Sequence, residues 1–94
     1  MPREQRLEPR TTFLVEHYRP GRDVAQLNSS IARIQQIVAE MEQAGEPVRY
    51  LSATIVPDDE SFFCLIEAAC QEVVSDAYRR ADVPFERISA AICL

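Results

Sequence analysis

The stretch VRYLSATIVPDDESFFCLIEA, residues 48–68, decides the fold of this chain. Residues 48–56 and 61–67 are rich in β-branched and aromatic side chains, which favour strands. Between them, PDDE at residues 57–60 is a turn sequence. The stretch therefore predicts a β-hairpin. Since a hairpin alone cannot bury this much apolar surface, the flanking segments are expected to pack against it.

On the N-terminal side the pattern predicts one strand and one helix. Residues 11–18 alternate as a strand does. One face carries Phe13, Val15 and His17, and the other carries Leu14, Glu16 and Tyr18. Residues 24–44 have apolar side chains at spacings of three and four, with Asp23 as the N-cap and Gly45 as the closing residue. These spacings also suit a coiled coil, but they last only about three heptads between strand signals, so a helix on a sheet is favoured.

On the C-terminal side, residues 70–81 predict a shorter amphipathic helix that ends at Asp82, before Pro84. Residues 86–93 predict the last strand, with Ile88, Ala90 and Ile92 on one side. The element order is that of an α+β ferredoxin-like βαββαβ fold, a four-stranded antiparallel sheet with two helices on one face and the first and third strands central. We expect one domain over residues 11–94, after a loose polar tail over residues 1–10.

The hairpin register predicts which side chains share a face of the sheet. If residues 57–60 form the loop, Ile55 pairs with Phe62, Ala53 with Cys64 and Leu51 with Ile66, an apolar set suited to the helices. The opposite face then carries Leu14, Glu16, Tyr18, Tyr50, Ser52, Thr54, Val56, Phe63, Leu65, Glu67, Ser89 and Ala91. That face carries too many apolar side chains to remain exposed to solvent. We therefore expect the second subunit of a homodimer, a ligand or both to cover it, as in a dimeric α+β barrel.

The amino-acid composition limits the classes of partner and the cellular compartment expected for this chain. The formal charge of −5 argues against general attraction to nucleic acid or to an anionic membrane surface. No apolar run is long enough to span a bilayer. The 3 cysteines have no spacing typical of a zinc site, and their odd number argues against a disulfide framework. These features favour a cytoplasmic protein.

Three segments resemble one known family. FLVEHYRPG at residues 13–21, the stretch 48–68, and RRADVPFERI at residues 79–88 are similar to a small bacterial ferredoxin-like domain family of uncharacterised function that includes a nickel-binding member. The resemblance implies an intimate dimer and a metal site, with nickel the only cofactor it suggests. This chain departs from the family in having only His17 as a histidine, and in placing Asp82 where relatives usually have glycine.

The candidate site residues follow from these faces. Glu16, Tyr18, Tyr50 and Glu67 are predicted to contact a ligand, with Glu16 in an enclosed pocket beside Tyr50. His17 is the candidate metal ligand, the alternative being a half-exposed imidazole without a metal. The predicted function is a dimeric protein that holds a small molecule or a metal ion, nickel among the candidates, between its sheets. The alternative is a cofactor-independent enzyme, resembling small monooxygenases or isomerases, with Glu16 or Glu67 as acid or base. Whether the chain is an enzyme is left open by its residues.

Overall fold

The computed structural model describes residues 10–94 and contains a four-stranded antiparallel sheet with two helices. In chain order the elements are β1 (Thr11–Tyr18), α1 (Val24–Gln43), β2 (Val48–Val56), β3 (Ser61–Ala68), α2 (Gln71–Ala81) and β4 (Arg87–Ala91). The spatial strand order is β2-β3-β1-β4. This confirms the predicted ferredoxin-like fold with the first and third strands central. Apart from Arg10, the predicted loose tail lies outside the described residues.

Local capping sets the limits of α1. The Asp23 side chain accepts a hydrogen bond from the backbone N–H of Gln26 at 2.8 Å, and the Gln26 side chain accepts one from the N–H of Asp23 at 2.9 Å. This reciprocal pair is a capping box, which satisfies two amides that the first helical turn leaves without partners. Beyond the C-terminal end, Gly45 has a φ of +89°, a left-handed conformation that glycine adopts without a steric penalty. Both ends agree with the sequence prediction.

Two turns place residues other than glycine in the left-handed region. Glu60 closes the 3₁₀ turn Pro57–Asp59 between β2 and β3 with a φ of 52°. Asp82 ends α2 with a φ of 56°, as the sequence predicted. Asp and Asn tolerate this region better than most residues that carry a Cβ atom. A Cβ atom still has a steric cost at positive φ, so each turn stores some backbone strain at a place where the chain reverses.

The hydrophobic core lies between the sheet and the helices. Its fully buried side chains come from every strand except β4 and from both helices, and include Val15, Leu27, Ile34, Val38, Val48, Phe62, Cys64, Ile66, Val74 and Tyr78. The apolar stripe of α1 packs here, so the interpretation of its spacings as a helix on a sheet is confirmed. We call this side of the sheet the helix-covered face.

A β-bulge in β2 corrects part of the predicted register. Ile55 pairs with Phe62 and Ala53 with Cys64 as predicted, but Tyr50, rather than Leu51, pairs with Ile66. Leu51 is the extra residue between the Tyr50 and Ser52 pairs. A bulge shifts the alternation by one residue, so the side chains before it change faces. The prediction that Tyr50 lies on the side away from the helices is therefore wrong.

The last strand is shorter than predicted. Ile88 and Ala90 lie opposite Val15 and Phe13 of β1, which puts them on the helix-covered face as expected. Ile92 lies beyond the end of β4 and is 87% exposed, so its predicted place in the strand is wrong. Within residues 10–94, neither helix combines the length and apolar character needed to cross a membrane.

Candidate functional site

The side of the sheet away from the helices, which we call the open face, is built from paired rows of side chains. Leu14 on β1 lies opposite Leu65 on β3, and Leu65 lies opposite Ser52 on β2. In the next row, Phe63 on β3 lies opposite Glu16 on β1. Leu14, Phe63 and Leu65 are only partly buried because neither helix covers this side. They form an apolar centre on the two central strands, as the sequence predicted.

An ion pair borders this apolar centre. Nε of Arg87 on β4 donates to Oε2 of Glu16 at 3.0 Å, and the two residues face each other across β1 and β4. The side chains are 70% and 30% exposed respectively, so solvent screens the pair. In the described chain Glu16 thus lies at a half-open surface, and Tyr50 is on the other face. The prediction that Glu16 lies beside Tyr50 is wrong, because the bulge in β2 turns Tyr50 towards the helices.

The other predicted contact residues lie at the two ends of the open face. Glu67 lies opposite Thr12 and Arg49 in the neighbouring strands, and its carboxylate is 3.9 Å from a guanidinium nitrogen of Arg10. Tyr18 ends β1 and is 51% exposed. The structure therefore brings Glu16 to the border of the apolar centre and leaves Glu67 and Tyr18 towards opposite ends of the open face.

Tyr50 contacts the core instead of the open face. Its ring packs at the edge of the hydrophobic core. Burial raises the pKa of Tyr50 above its ordinary value of 10.0. Tyr50 is therefore not part of the open face.

Sequence reasoning missed Arg87 as part of the site. The signal was present, since Ile88 and Ala90 were predicted on the helix-covered face and Arg87 must alternate to the other side. Its partner depended on β4 lying beside β1 in a register that pairs Arg87 with Glu16. That register is a property of the sheet and cannot be read from either strand alone.

His17 lies inside the molecule, on the helix-covered face. Its side chain is stacked on Phe62 with 4.0 Å between ring centroids, and the Tyr78 ring of α2 lies 5.0 Å away. The residue is 1% exposed, so the alternative of a half-exposed imidazole is wrong. Nδ1 lies 2.9 Å from the carbonyl oxygen of Pro84 and donates to it, because a carbonyl can only accept. Nε2 is therefore the unprotonated nitrogen in neutral His17.

The surroundings of His17 disfavour its charged form. Burial is the largest effect and lowers its pKa from 6.5 to about 4, and Arg19 acts in the same direction. The Pro84 carbonyl and the Glu86 carboxylate raise the pKa by smaller amounts. His17 is thus neutral near neutral pH, the state in which an imidazole can bind a metal through its free nitrogen.

Two further polar groups, on Tyr78 and Cys64, lie in the same core. Burial raises the pKa of the Cys64 thiol to about 11 and also raises the pKa of Tyr78, whose hydroxyl lies against that thiol. Neither the Tyr78 hydroxyl nor Nε2 of His17 makes a well-formed hydrogen bond in the described chain. Cys64 behaves as the small buried hydrophobe that its position predicted.

The donor set of one chain does not complete a nickel site. A transition-metal site built from protein ligands needs several convergent nitrogen, oxygen or sulfur atoms. Among residues 10–94 there is no group of three or more His, Cys, Asp or Glu side chains placed to hold a metal. His17 brings one free nitrogen into an apolar, aromatic setting, and it lies on the opposite side of the sheet from Glu16 and Glu67. One chain therefore does not supply a nickel site by itself.

Two surface grooves lie on the helix side of the molecule. One, of about 260 Å³, is lined by Ser75, Tyr78, Arg79, Asp82, Val83, Pro84 and Phe85. The other, of about 380 Å³, lies between α1 and α2 and is lined by Ala32, Arg33, Gln36, Ile37, Arg80 and Ala81. Neither groove includes Glu16, Tyr18, Tyr50 or Glu67, so neither contains the predicted ligand contacts.

Comparison with known proteins identifies a family and a similar solved structure. The family described as nickel responsive protein SCO4226-like matches residues 13–90 of the chain. A crystal structure of SCO4226 from Streptomyces coelicolor A3(2) superposes with a TM-score of 0.70 at 21% sequence identity, covering 88% of this chain and 98% of that one. No curated protein was found to match. At this identity the crystal structure bears on the fold alone, whereas the family match extends over nearly all of the described residues.

Proposed function

The chain belongs to the SCO4226-like family of nickel responsive proteins, and on this premise we propose that it is a homodimeric binding protein that encloses a ligand between two open faces. The observation that carries the proposal is the apolar centre formed by Leu14, Phe63 and Leu65. These side chains lie on the two central strands, where helices cover only the opposite side. Exposed apolar patches bordered by polar residues are typical of protein interaction sites.

A second copy of the chain is the partner that the charges of this face favour. The net charge of −5 would oppose self-association if it were spread evenly over the surface. The open face instead carries both signs, since Glu16 is paired with Arg87, and Glu67 lies near Arg10 and opposite Arg49. A two-fold axis brings the same patch of both subunits together, so a face with both signs can complement itself.

The residues of this face favour an organic ligand over a bare metal ion. Carboxylate, guanidinium and hydroxyl groups surround an apolar centre, which is the composition of most small-molecule sites. In a face-to-face dimer, Glu16 and Arg87 of both subunits would border the enclosed space and orient a polar group of the ligand. Tyr18, at the end of β1, would lie at the margin of that space.

Nickel binding is the second candidate, and two observations favour it. The family is described as nickel responsive, and Nε2 of His17 is an imidazole nitrogen without a hydrogen-bond partner. A site at His17 would be separate from the sheet interface, because His17 faces the helices. It would also need ligands that the described residues of one chain do not bring to it. We therefore consider nickel a less favoured ligand than a small organic molecule.

Sedimentation equilibrium and native mass spectrometry test the proposal on the purified full-length chain. We expect a dimer at micromolar concentration, and a mass in excess of two chains where a molecule is retained. Titration with nickel chloride in a calorimeter tests the second candidate, with His17→Ala as the matched variant. A monomer throughout the concentration range would overturn the proposed interface. Nickel binding that survives in His17→Ala would move the metal site to other residues.

A further inference from the structure

Two of the three cysteines lie exposed, while the third is buried. Cys70 is the N-cap residue of α2, immediately after β3, and Cys93 follows the end of β4. Cys64 is buried in the core. The exposed thiols are therefore the two that solvent oxidants can reach, and Cys64 serves as an internal control.

The sheet brings both exposed cysteines to the same end of the molecule. β3 and β4 are each antiparallel to β1, so they run in the same direction on either side of it. Ala68 of β3 lies opposite Thr11, and Ala91 of β4 lies opposite Thr12. The two strands thus end within one residue of each other along β1. Each cysteine lies two residues beyond its strand end.

A link between the two segments requires the residues beyond β4 to bend towards Cys70. Adjacent strands are about 4.8 Å apart, so β3 and β4 are separated by roughly 10 Å across β1. A disulfide needs its two Cα atoms about 5.5 Å apart. Beyond Ala91, Ile92 is 87% exposed, so packing does not hold it in place. Ala69, which precedes Cys70, donates a hydrogen bond to the Pro47 carbonyl at 3.1 Å beside β2. The movement that closes the link therefore has to come from Cys93.

We propose that Cys70 and Cys93 form a reversible intrachain disulfide when the protein meets a peroxide. One thiolate attacks an oxygen of hydrogen peroxide, the O–O bond breaks, and a sulfenic acid forms with release of hydroxide, which takes up a proton to become water. The second thiol then attacks the sulfenic sulfur. The S–S bond forms as the S–O bond breaks, and a second water leaves. The two thiols lose two protons and two electrons in total, which reduce one peroxide to two waters.

The disulfide would tie α2 to the end of the sheet. The closed loop contains both α2 and β4, so the cross-link restricts the unfolded chain as well as the C-terminal residues. We expect a higher melting temperature in the oxidised protein than in the reduced protein. Added dithiothreitol should reverse the shift.

The experiment treats the reduced full-length chain with hydrogen peroxide at low protein concentration, unfolds it in urea that contains iodoacetamide so that the remaining thiols, Cys64 included, are blocked, and measures intact mass and peptide masses. Cleavage after glutamate separates Cys64 from Cys70, because Glu67 lies between them. The expected product has lost the mass of two hydrogen atoms, carries one alkylated cysteine at Cys64, and yields a peptide pair that contains Cys70 and Cys93. The Cys64→Ala variant should form the same link, whereas Cys70→Ser and Cys93→Ser should not.

Three outcomes oppose the inference. A covalent dimer linked through Cys93 of two chains would show that the thiols meet between molecules. Sulfinic or sulfonic acid at Cys93 without a link would show that Cys70 is out of reach. A link that includes Cys64 would show that the core opens during oxidation. Cys70→Ser retains a good N-cap residue, so its folding should be intact and its failure to cross-link can be attributed to the missing sulfur.

Discussion

The imidazole of His17 is stacked on the ring of Phe62, with an angle of 9° between the two planes and 4.0 Å between their centroids. The two residues are direct cross-strand partners on β1 and β3, which explains why the rings meet. Nδ1 of the same imidazole donates to the Pro84 carbonyl, to which Nη2 of Arg19 also donates at 3.1 Å. His17 thereby connects the central strands to the loop between α2 and β4, and its protonation state should affect stability.

The free energy of unfolding should decrease as the pH is lowered from 6.5 to about 4, because His17 titrates in this range. The folded pKa of about 4 lies below the ordinary value of 6.5, so the unfolded chain binds more protons between these two pH values. The stabilising contribution is complete above pH 6.5, declines as the pH falls, and is lost by about pH 4. A shift of this size corresponds to about 3 kcal/mol. Urea denaturation at a series of pH values measures the slope.

The His17→Asn variant isolates this effect from the titration of the carboxylates. Asparagine keeps a side-chain N–H near the Pro84 carbonyl but does not titrate. Its free energy of unfolding should be lower at pH 7, and should depend less on pH between 6.5 and 4, than that of the unmodified protein. Equal slopes for the two proteins would show that His17 is not the group responsible.

Leu65→Glu should break the proposed dimer. Leu65 lies in the apolar centre of the open face, and a second copy packed there would bury the new carboxylate without a partner. The expected result is a folded monomer by sedimentation and circular dichroism. Ala39→Glu is the matched control, because Ala39 is exposed on α1. If Leu65→Glu remains dimeric, the subunits associate through another surface.

Glu16→Gln should change the free energy of unfolding by less than about 1 kcal/mol. Its carboxylate pairs with Arg87 at a half-open surface, where ion pairs contribute little because water and salt screen them. Under the proposed function, the variant should remain a dimer and lose affinity for whatever molecule is retained between the sheets, as native mass spectrometry would show. A large loss of stability would instead indicate a mainly structural role.

Asp82→Gly should stabilise the chain by up to about 1 kcal/mol. Asp82 has a φ of 56°, and glycine avoids the steric cost of a Cβ atom in this conformation. Glu60→Gly is an informative comparison, since Glu60 has a φ of 52° but its side chain also accepts a hydrogen bond from the N–H of Gly21 at 2.9 Å. Thermal denaturation should show a smaller gain at Glu60. A loss of stability in Asp82→Gly would contradict the strain argument.

Asp23→Ala should destabilise the chain by about 1 kcal/mol, because it removes one half of the capping box at the start of α1. Chemical denaturation measures the effect. Ser29→Ala is the control on the same helix, since the Ser29 hydroxyl bonds to the Ala25 carbonyl within the helix and caps nothing. Similar losses in both variants would mean that the capping box adds no more than an ordinary helix-surface contact.

The sequence by itself determined the features that depend on neighbours along the chain. The three- and four-residue spacing of α1, its capping residue Asp23, the alternation of β1 and the left-handed stop at Asp82 all follow from local sterics and periodicity. These were enough to predict the element order and the order of strands in the sheet. They also placed Leu14, Phe63 and Leu65 on the open face.

Only the tertiary structure decided what depends on register between distant segments. Val48 and Tyr50 face the helices before the bulge, and Ala53 and Ile55 face them after it, so one extra residue at Leu51 reconciles the two alternations. The shift keeps apolar side chains from both halves of β2 on the helix-covered face, and it removes Tyr50 from the open face. The pairing of Glu16 with Arg87 and the depth of His17 beneath Tyr78 likewise arise from contacts across the sheet. A strand's own pattern sets which side chains share a face, whereas the partner strand and the covering helix set what those side chains meet.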